Sequence, residues 1–541
     1  MTFDQPPERL RNTQSVYTVF MATTTRSALP FSCLPVLLAF VLIGAAALAM
    51  PPSALGAPAE EDGPAIEAVE LNVREVIVLA LRNNRALENA RLSRSIARMS
   101  LNLAEAEFRP RFTFGADSQR SETPTSAAET MGVRSAIALR IPTGGDLSVS
   151  SSVTDRGDVA ALLGSHSNIV TLTFSQPLLR GAGFGTALAN LRTARVNEEI
   201  NVLSFEQTVT ALMSSALNSF RSYVQAGRRA EIAARSLERA RQLLQVNRLL
   251  VQAGRLAERD IIQAEADIAR RELDIISARG GLDTARLSLI DVLDLETGTR
   301  FEVAENFSAG QPEPLSLDIA TAMEMALANR PDHQIGLLGS RNAQTRLAVA
   351  RNSRLWDLSL SLSRNFSASD NGFIGTFGGL DRTGTRIGLN LNVPIGQDAD
   401  RLRLSLRSAE TSLRVAENGL KDLRQRIEIE VRNAVRNLTL AERRVELARR
   451  ARELSEQKAE IEREKLNLGV TTNFQLVTFE NDLVLAQNAE IDAVFNHLNA
   501  ATELDRTLGT TLDRWGIDIG RVEHSTEASE RYGMDAGGAS R

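Results

Sequence analysis

Cysteine, lysine and aromatic side chains are scarce in this sequence. One of the 541 residues is a cysteine and only 4% are aromatic, which argues against the several aromatic-rich cores that a globular chain of this length would need. The lysines are Lys421, Lys458 and Lys465, and none of them follows a glycine or precedes a serine or threonine, so a phosphate-binding P-loop is excluded. The formal net charge of -5 provides no basic field, and nucleic acid is therefore not an expected partner.

The start of the chain has the pattern of an export signal. Arginines, the last of them Arg26, precede an apolar run at 36–49 that ends in Ala-Leu-Ala and is followed by prolines. The alternative is a membrane anchor helix, but the run is short for a span. We predict a signal peptide and leader at 1–57, with Met1 or Met21 as the start. Because Cys33 lies inside this leader, the mature chain would hold no disulfide or thiolate metal site.

Proline is absent from two long tracts. No proline lies between Pro177 and Pro312, and none follows Pro394. Since proline costs about 3 kcal/mol inside a helix, these tracts are predicted to be helical. The second tract carries apolar residues at a mean spacing of 3.5, which is the coiled-coil period and indicates helix packing. These residues are Leu413, Ala416, Leu420, Leu423, Ile427, Val431, Ala434, Leu438, Ala441, Val445 and Ala448.

Between the helical tracts lie segments that alternate apolar with small or polar residues. Alternation with a period of two predicts strands with one apolar and one polar face. The segments are 112–116, 137–140, 147–153, 169–174, 358–366 and 386–393.

The chain also repeats itself. The stretch that opens at Leu71 recurs at Leu317, and the turn at Gly254 recurs at Gly469. The offset between the halves falls from 246 before the strands to 217 after them, so the first half holds about 29 extra residues among its strands. We predict a first repeat at 66–300 with strands at about 111–175, and a second at 312–512 with strands at about 357–394.

The predicted elements imply a mainly α fold with a membrane β-barrel portion. A helix of roughly 105 Å is expected at about 398–468, and shorter helices at about 73–107 and 257–295 match it when laid end to end. Strands at one end of such a helical cylinder suggest an outer membrane β-barrel continued by a helical tunnel. Two strands per repeat, or four in the first, cannot close a single-chain barrel, so the chain must oligomerise.

At this point the chain resembles the TolC-like outer membrane efflux proteins. The resemblance is carried by the repeat, by the strand-to-helix stretch 175–181, by the helix start at 326–331 and by the turns at Gly254 and Gly469. It implies a homotrimer whose strands form one barrel in outer membrane lipid, continued by a periplasmic α-helical barrel. Such proteins are passive exit ducts that dock to a periplasmic adaptor protein and an inner-membrane transporter. They are not enzymes and take no cofactor or metal.

The resemblance also implies a site at the periplasmic tip of the tunnel. Constriction candidates are Asp260, Leu466, Thr471, Gln475 and Thr478, and the turns that would contact an adaptor hold Gly254, Arg255, Gly469 and Val470. Well-studied members carry Tyr, Arg and two Asp where this chain has the last four candidates. We therefore expect a narrow end without an acidic ring; the alternative is a plain helix-loop-helix joint. A second departure is an added hairpin at about 133–154, which puts the usual four strands per protomer in doubt.

Other candidate chemistry lacks the residues it needs. The glycine-rich stretch 181–186 lacks the last glycine of a dinucleotide site and is predicted to be a strand-to-helix corner. His166, His333, His497 and His524 lie far apart without metal-ligand spacing. The rival classes are a periplasmic coiled-coil adaptor and a scaffold protein, and the duplicated helix pattern opposes the adaptor. The tail at 513–541 is predicted to be disordered.

Overall fold

The computed structural model describes residues 69–123, 126–158, 165–303, 318–370, 376, 380 and 382–524. The predicted leader at 1–57 lies outside the described residues, as does the chain beyond 524.

The first repeat is a series of helices interrupted by four long strands. In order its elements are β1 (Val69–Leu71), α1 (Val73–Asn83), α2 (Arg85–Ala106), β2 (Arg111–Thr123), β3 (Ser126–Arg140), β4 (Asp146–Asp158), β5 (Ser165–Pro177), α3 (Phe184–Ala187), α4 (Ala189–Gln252), α5 (Arg259–Leu293) and β6 (Phe301–Val303). Asn84 separates α1 from α2, because its side chain accepts hydrogen bonds from the first backbone amides of α2 at Ala86 and Leu87.

The second repeat has the same order with two strands in place of four. Its elements are α6 (Ile319–Asn329), α7 (Pro331–Ser353), β7 (Asp357–Asp370), β8 (Arg382–Asn392), α8 (Gln397–Asn467) and α9 (Asn473–Leu508), followed by α10 (Thr511–Trp515) and α11 (Ile519–His524). The predicted offsets are confirmed: β2 and β7 begin 246 residues apart, and β5 and β8 begin 217 residues apart. The strands without a counterpart are β3 and β4, which form the added hairpin.

The six long strands form one antiparallel sheet in the order β2-β3-β4-β5-β7-β8. Its register aligns apolar residues of neighbouring strands on one face. One row runs through Phe112, Ile137, Val149 and Leu172, and the next through Leu139, Leu147, Phe174, Leu362 and Ile387. The opposite face carries small and polar residues, such as Ser150, Thr171 and Ser363. The alternation read from the sequence is thus confirmed as a two-sided sheet.

The coiled-coil prediction for α8 is also confirmed. The helix runs for 71 residues, close to the expected 398–468. The residues Ile427, Val431, Ala434, Leu438, Ala441 and Val445 of the predicted seam are buried. Alanines at this spacing allow the neighbouring helices α7 and α9 to approach closely.

A hydrophobic core joins α1, α4, α5 and α9 to the short strands β1 and β6. The short strands β1 and β6 pair in parallel and bring the start and the end of the first repeat together. Here Arg221 of α4 is buried and donates hydrogen bonds to the carbonyl of Leu498 (2.9 Å) and the hydroxyl of Thr502 (2.8 Å) on α9. Burial, with the nearby charge of Arg514, lowers the pKa of Arg221 to about 10, so the guanidinium stays charged at neutral pH.

The prediction of disorder from residue 513 is wrong for the first part of the tail. Residues up to 524 form α10 and α11, and their apolar side chains pack against α1, α2 and α4. Leu512 is buried, and Trp515, Ile517 and Val522 are partly buried against the same cluster. The burial of these side chains outweighs the low hydrophobicity that predicted disorder. Residues 525–541 lie outside the described residues.

Candidate functional site

The two turns at the far end of the long helices have the same backbone geometry. At the end of α4, the amide of Arg255 bonds to the carbonyl of Leu250 (2.9 Å), and at the end of α8 the amide of Val470 bonds to that of Lys465 (3.0 Å). Gly254 and Gly469 sit in the left-handed region, with φ of 67° and 73°. Only glycine adopts this conformation without strain, which explains why the sequence repeats a glycine here.

The surface of these turns is apolar. Leu249 precedes the first turn, and Leu468, Val470 and Phe474 flank the second; all four side chains are largely exposed. Arg255, predicted to contact an adaptor, is exposed as well. An exposed apolar cluster at a loop end is typical of a contact surface.

The second turn is held by a buried carboxylate. The hydroxyl of Thr471 donates to one oxygen of Glu462, and the ammonium of Lys465 lies 3.3 Å from the other. The hydrogen bond from Thr471 and the charge of Lys465 lower the pKa of Glu462. The hydroxyl of Thr472 then accepts a hydrogen bond from the amide of Gln475 (3.3 Å) and caps α9.

The predicted constriction residues are not equivalent in the folded chain. Gln475 is exposed, and Asp260 and Thr478 are half-buried. Leu466 is only 5% exposed and lines a cavity of about 400 Å³ between the helices. The hydroxyl of Thr471 donates its hydrogen bond to Glu462. Among the residues that the structure describes, Asp260 makes no hydrogen bond with the other four candidates.

A partly buried ionic cluster, which the sequence did not predict, lies on the helices next to the two turns. Glu480 of α9 is held by two arginines: the Nε of Arg239 on α4 lies 2.8 Å from Oε2, and Arg463 of α8 bonds to Oε1. Arg239 belongs to the first repeat, whereas Arg463 and Glu480 belong to the second. The cluster therefore fastens one helical hairpin to the other.

A third arginine extends this cluster to the remaining helix. Arg271 of α5 pairs with Asp267 (3.1 Å) and donates to Ser236 on α4 and to the carbonyl oxygen of the Asn481 side chain on α9 (2.9 Å). Together with Arg239, Arg463 and Glu480, it links α4, α5, α8 and α9. Because buried charges are stable only when paired, the cluster fixes the relative position of the four helices.

The repeat contains a signal for half of this cluster. At the offset of 215, Arg248 and Glu265 correspond to Arg463 and Glu480, and they form the same pair in the first hairpin, at 3.0 Å. Arg239 and Arg271 have no such counterparts, since Leu454 and Ala486 stand at the matching positions. The contact between hairpins is therefore not repeated.

The described residues offer no other obvious chemical site. Within them, no helix combines the length and the hydrophobicity required to cross a membrane. No group of three or more histidine, cysteine, aspartate or glutamate side chains in the same part of the chain is arranged to hold a metal ion.

Comparison with solved structures identifies the fold. The Campylobacter jejuni CmeC outer membrane channel superposes with a TM-score of 0.62 at 16% identity, covering 90% of this chain and 98% of that chain. The outer membrane protein VceC of Vibrio cholerae gives a TM-score of 0.61 at 15% identity, covering 81% and 96%. The open state of the Neisseria gonorrhoeae MtrE outer membrane channel gives 0.60 at 16% identity, covering 83% and 94%.

Comparison at the level of sequence gives the family. No curated protein sequence matches the chain. The family described as outer membrane efflux protein matches residues 76–293 and 322–510, which span both repeats and most of the chain. This confirms the resemblance read from the repeat and its turns. The chain belongs to the outer membrane efflux protein family.

Proposed function

We propose that this outer membrane efflux protein is the homotrimeric exit duct of a tripartite efflux or type I secretion system. It would receive cargo from an inner-membrane transporter through a periplasmic adaptor protein. The observation that carries the proposal is the six-stranded sheet, which is apolar on one face and polar on the other and has both edges unpaired among the described residues. In a membrane, such a sheet is stable only when other copies cover its edges.

Two exposed stripes on the helices support assembly with further copies. On α8, exposed apolar residues recur every seven positions, and each is at least half exposed: Leu440, Leu447, Leu454 and Ile461. In the helical layer, α5 packs on α4, α4 on α9 and α9 on α8, so α5 and α8 lie at its two sides. A heptad stripe at one side is the surface that a neighbouring helix covers in a coiled coil.

Helix α5, at the other side of the layer, carries a matching stripe. On α5, Ile262, Leu273, Ile276 and Leu287 are exposed and spaced by elevens and threes, which places them on one helix face. The stripe on α5 spans 26 residues and that on α8 spans 22 residues, or roughly 39 and 33 Å of helix. In the proposed homotrimer, α5 of each protomer packs against α8 of the next.

The tip of the helical hairpins is the proposed periplasmic end. There Gln475 and Thr478 of three protomers would surround the narrowest part of the duct, with Asp260 close by, and Leu466 would support the wall from inside the protomer. The exposed turns at Gly254, Arg255, Gly469 and Val470 would contact the adaptor. A ring of glutamine side chains binds cations less strongly than a ring of carboxylates.

Single-channel recording in planar lipid bilayers tests this function. The purified oligomer should form stable pores, and Gln475→Asp should increase their cation selectivity, whereas the neutral Gln475→Asn should not. Pores that respond to neither change would place the constriction elsewhere in the duct. A folded oligomer that forms no pore would contradict the channel itself.

A further inference from the structure

The hairpin β3–β4 widens the sheet of the protomer from four strands to six. Its boundaries agree with the internal repeat: β2 corresponds to β7 and β5 to β8, whereas β3 and β4 have no counterpart. Between β2 and β5 there are 41 residues, against 11 between β7 and β8. The difference accounts for the extra residues counted in the sequence.

The hairpin is built into the plane of the sheet rather than attached to its side. All thirteen residues of β2 pair with β3, and β4 pairs along eleven residues with β5. The apolar row from Phe112 to Leu172 passes through Ile137 and Val149 of the hairpin without a shift in register. The hairpin thus extends the apolar face of the sheet by two strands.

The turn between β3 and β4 is locked to the corner where β5 leads into the helices. The side-chain oxygen of Gln176 accepts a hydrogen bond from the hydroxyl of Thr143 (2.8 Å), and its side-chain nitrogen donates one to the carbonyl of Thr143 (3.2 Å). The backbone amide of Gly183 donates to the same carbonyl (3.0 Å). At Gly144, with φ of 93°, a Cβ would lie 2.3 Å from the carbonyl oxygen of Gly181. These contacts hold the turn of the hairpin against this corner.

The edges of the sheet show where the next copy binds. The residues of β2 from 111 to 120 are exposed, and so are almost all residues of β8, in contrast to the inner strands. Five antiparallel steps separate β2 from β8, so the two edge strands run in opposite directions. The β8 edge of one protomer can therefore pair antiparallel with the β2 edge of a neighbour. Phe112 and Phe114 of β2 then lie on the same face as Ile387, Leu389 and Leu391 of β8.

We propose that three copies close an 18-stranded barrel through these edges, rather than the 12-stranded barrel that four strands per protomer would give. The proposal rests on the homotrimer of the proposed function. With a strand spacing of about 4.8 Å and a tilt of about 40°, the wall of 18 strands is about 36 Å across, whereas that of 12 is about 24 Å. The lumen face of the hairpin carries the small residues Ala136, Ala138, Ser148 and Ser150, and its arginines Arg134 and Arg140 are paired with Asp117 and Glu107. The outer membrane section of this duct is therefore wide enough for bulky cargo.

Electron cryo-microscopy of the full-length protein in lipid nanodiscs tests the strand number directly. The matched variant deletes residues 126–158, which leaves eight residues between β2 and β5 and lets Phe112 face Leu172 in the same register. We expect 18 strands in the wild type and 12 in the variant, both as trimers. Twelve strands in the wild-type wall, with the hairpin outside it, would overturn the proposal even if the deletion variant does not fold. Wild-type protein that forms no trimer would instead count against the proposed function, as well as against the barrel that rests on it.

Discussion

Glu480 in the second hairpin accepts a hydrogen bond of 2.8 Å from Arg239 in the first. Its other oxygen is held by Arg463 of its own hairpin, so one carboxylate connects the two halves of the chain. The side chain of Glu480 is 11% exposed, whereas that of Glu265, its counterpart in the first repeat, is 52% exposed. Each repeat thus holds one Arg–Glu pair, exposed in the first repeat and partly buried in the second. Only the pair of the second repeat contacts the other hairpin, through Arg239.

Replacement of Glu480 should loosen the helices near the tip. Glu480→Gln leaves Arg239 without its carboxylate partner and leaves Arg463 with Glu460 alone. The loss of a partly buried hydrogen bond between charged groups costs roughly 2 kcal/mol. Glu265→Gln is the matched control, because the corresponding exposed pair is worth less than about 1 kcal/mol. Thermal unfolding of both variants in detergent, followed by circular dichroism, measures the difference. Equal stability of the two variants would show that Glu480 does not fasten the hairpins.

Glycine positions in the left-handed region should differ in their tolerance of alanine. Gly469 and Gly509 have the same φ of 73°, but a Cβ on Gly469 meets open space, whereas one on Gly509 would lie 2.9 Å from the carbonyl carbon of Asn329. Gly469→Ala should therefore cost only the conformational penalty of about 1–2 kcal/mol. Gly509→Ala should cost more, because α6 and α9 must also move apart. Chemical unfolding curves of both variants test the order, which would be reversed or absent if the contact with Asn329 carried no weight.

Much of this fold follows from local signals in the sequence. Gly254 and Gly469 marked the turns because a left-handed residue is required there, and the alternation in β2 to β8 reflected a sheet with two different faces. The offsets located the added hairpin because each long element recurs at a fixed distance. The turns and the alternation depend on residues close in sequence, and the offsets compare two copies of the same pattern, which is why these features could be predicted.

The ionic cluster at the tip could not be predicted in the same way. Arg239 and Arg271 reach the second hairpin only because α4 and α5 pack against α9, and these contacts join positions 241 and 210 residues apart. Their counterparts are Leu454 and Ala486, so the repeat gave no signal for them. Leu466 is a constriction candidate from resemblance alone, and the sequence contained no signal that its side chain lies between the helices. The helices after Leu512 were missed because Trp515 and Ile517 are isolated in a polar stretch.

Stability should depend on the protonation of His497 in α9. Burial lowers the pKa of His497 below that of an exposed histidine, and the opposing effect of Glu442 on α8 is smaller. Because the folded state binds the proton less readily than the unfolded chain, this contribution is complete above about pH 6.5 and is lost as the pH falls below that value. The midpoint of thermal unfolding should thus decrease less between pH 7.5 and pH 5.5 in His497→Gln than in the wild type. An identical pH dependence in both proteins would contradict the assignment to this residue.

The heptad stripe on α8 should hold the protomers together. Leu454 is 56% exposed in the single chain, midway along the stripe from Leu440 to Ile461. Leu454→Glu would place a carboxylate in each of the interfaces between protomers, where burial of an unpaired charge is unfavourable, while the fold of the single chain has no reason to change. Leu454→Met, which keeps the volume and the apolar surface, is the control. Size-exclusion chromatography with light scattering should show a shift from trimer to monomer for Leu454→Glu only, at unchanged helix content. If Leu454→Glu remains trimeric at the lowest measurable concentration, the proposed packing of α5 against α8 between protomers is wrong. The stripe would then face water or a different partner.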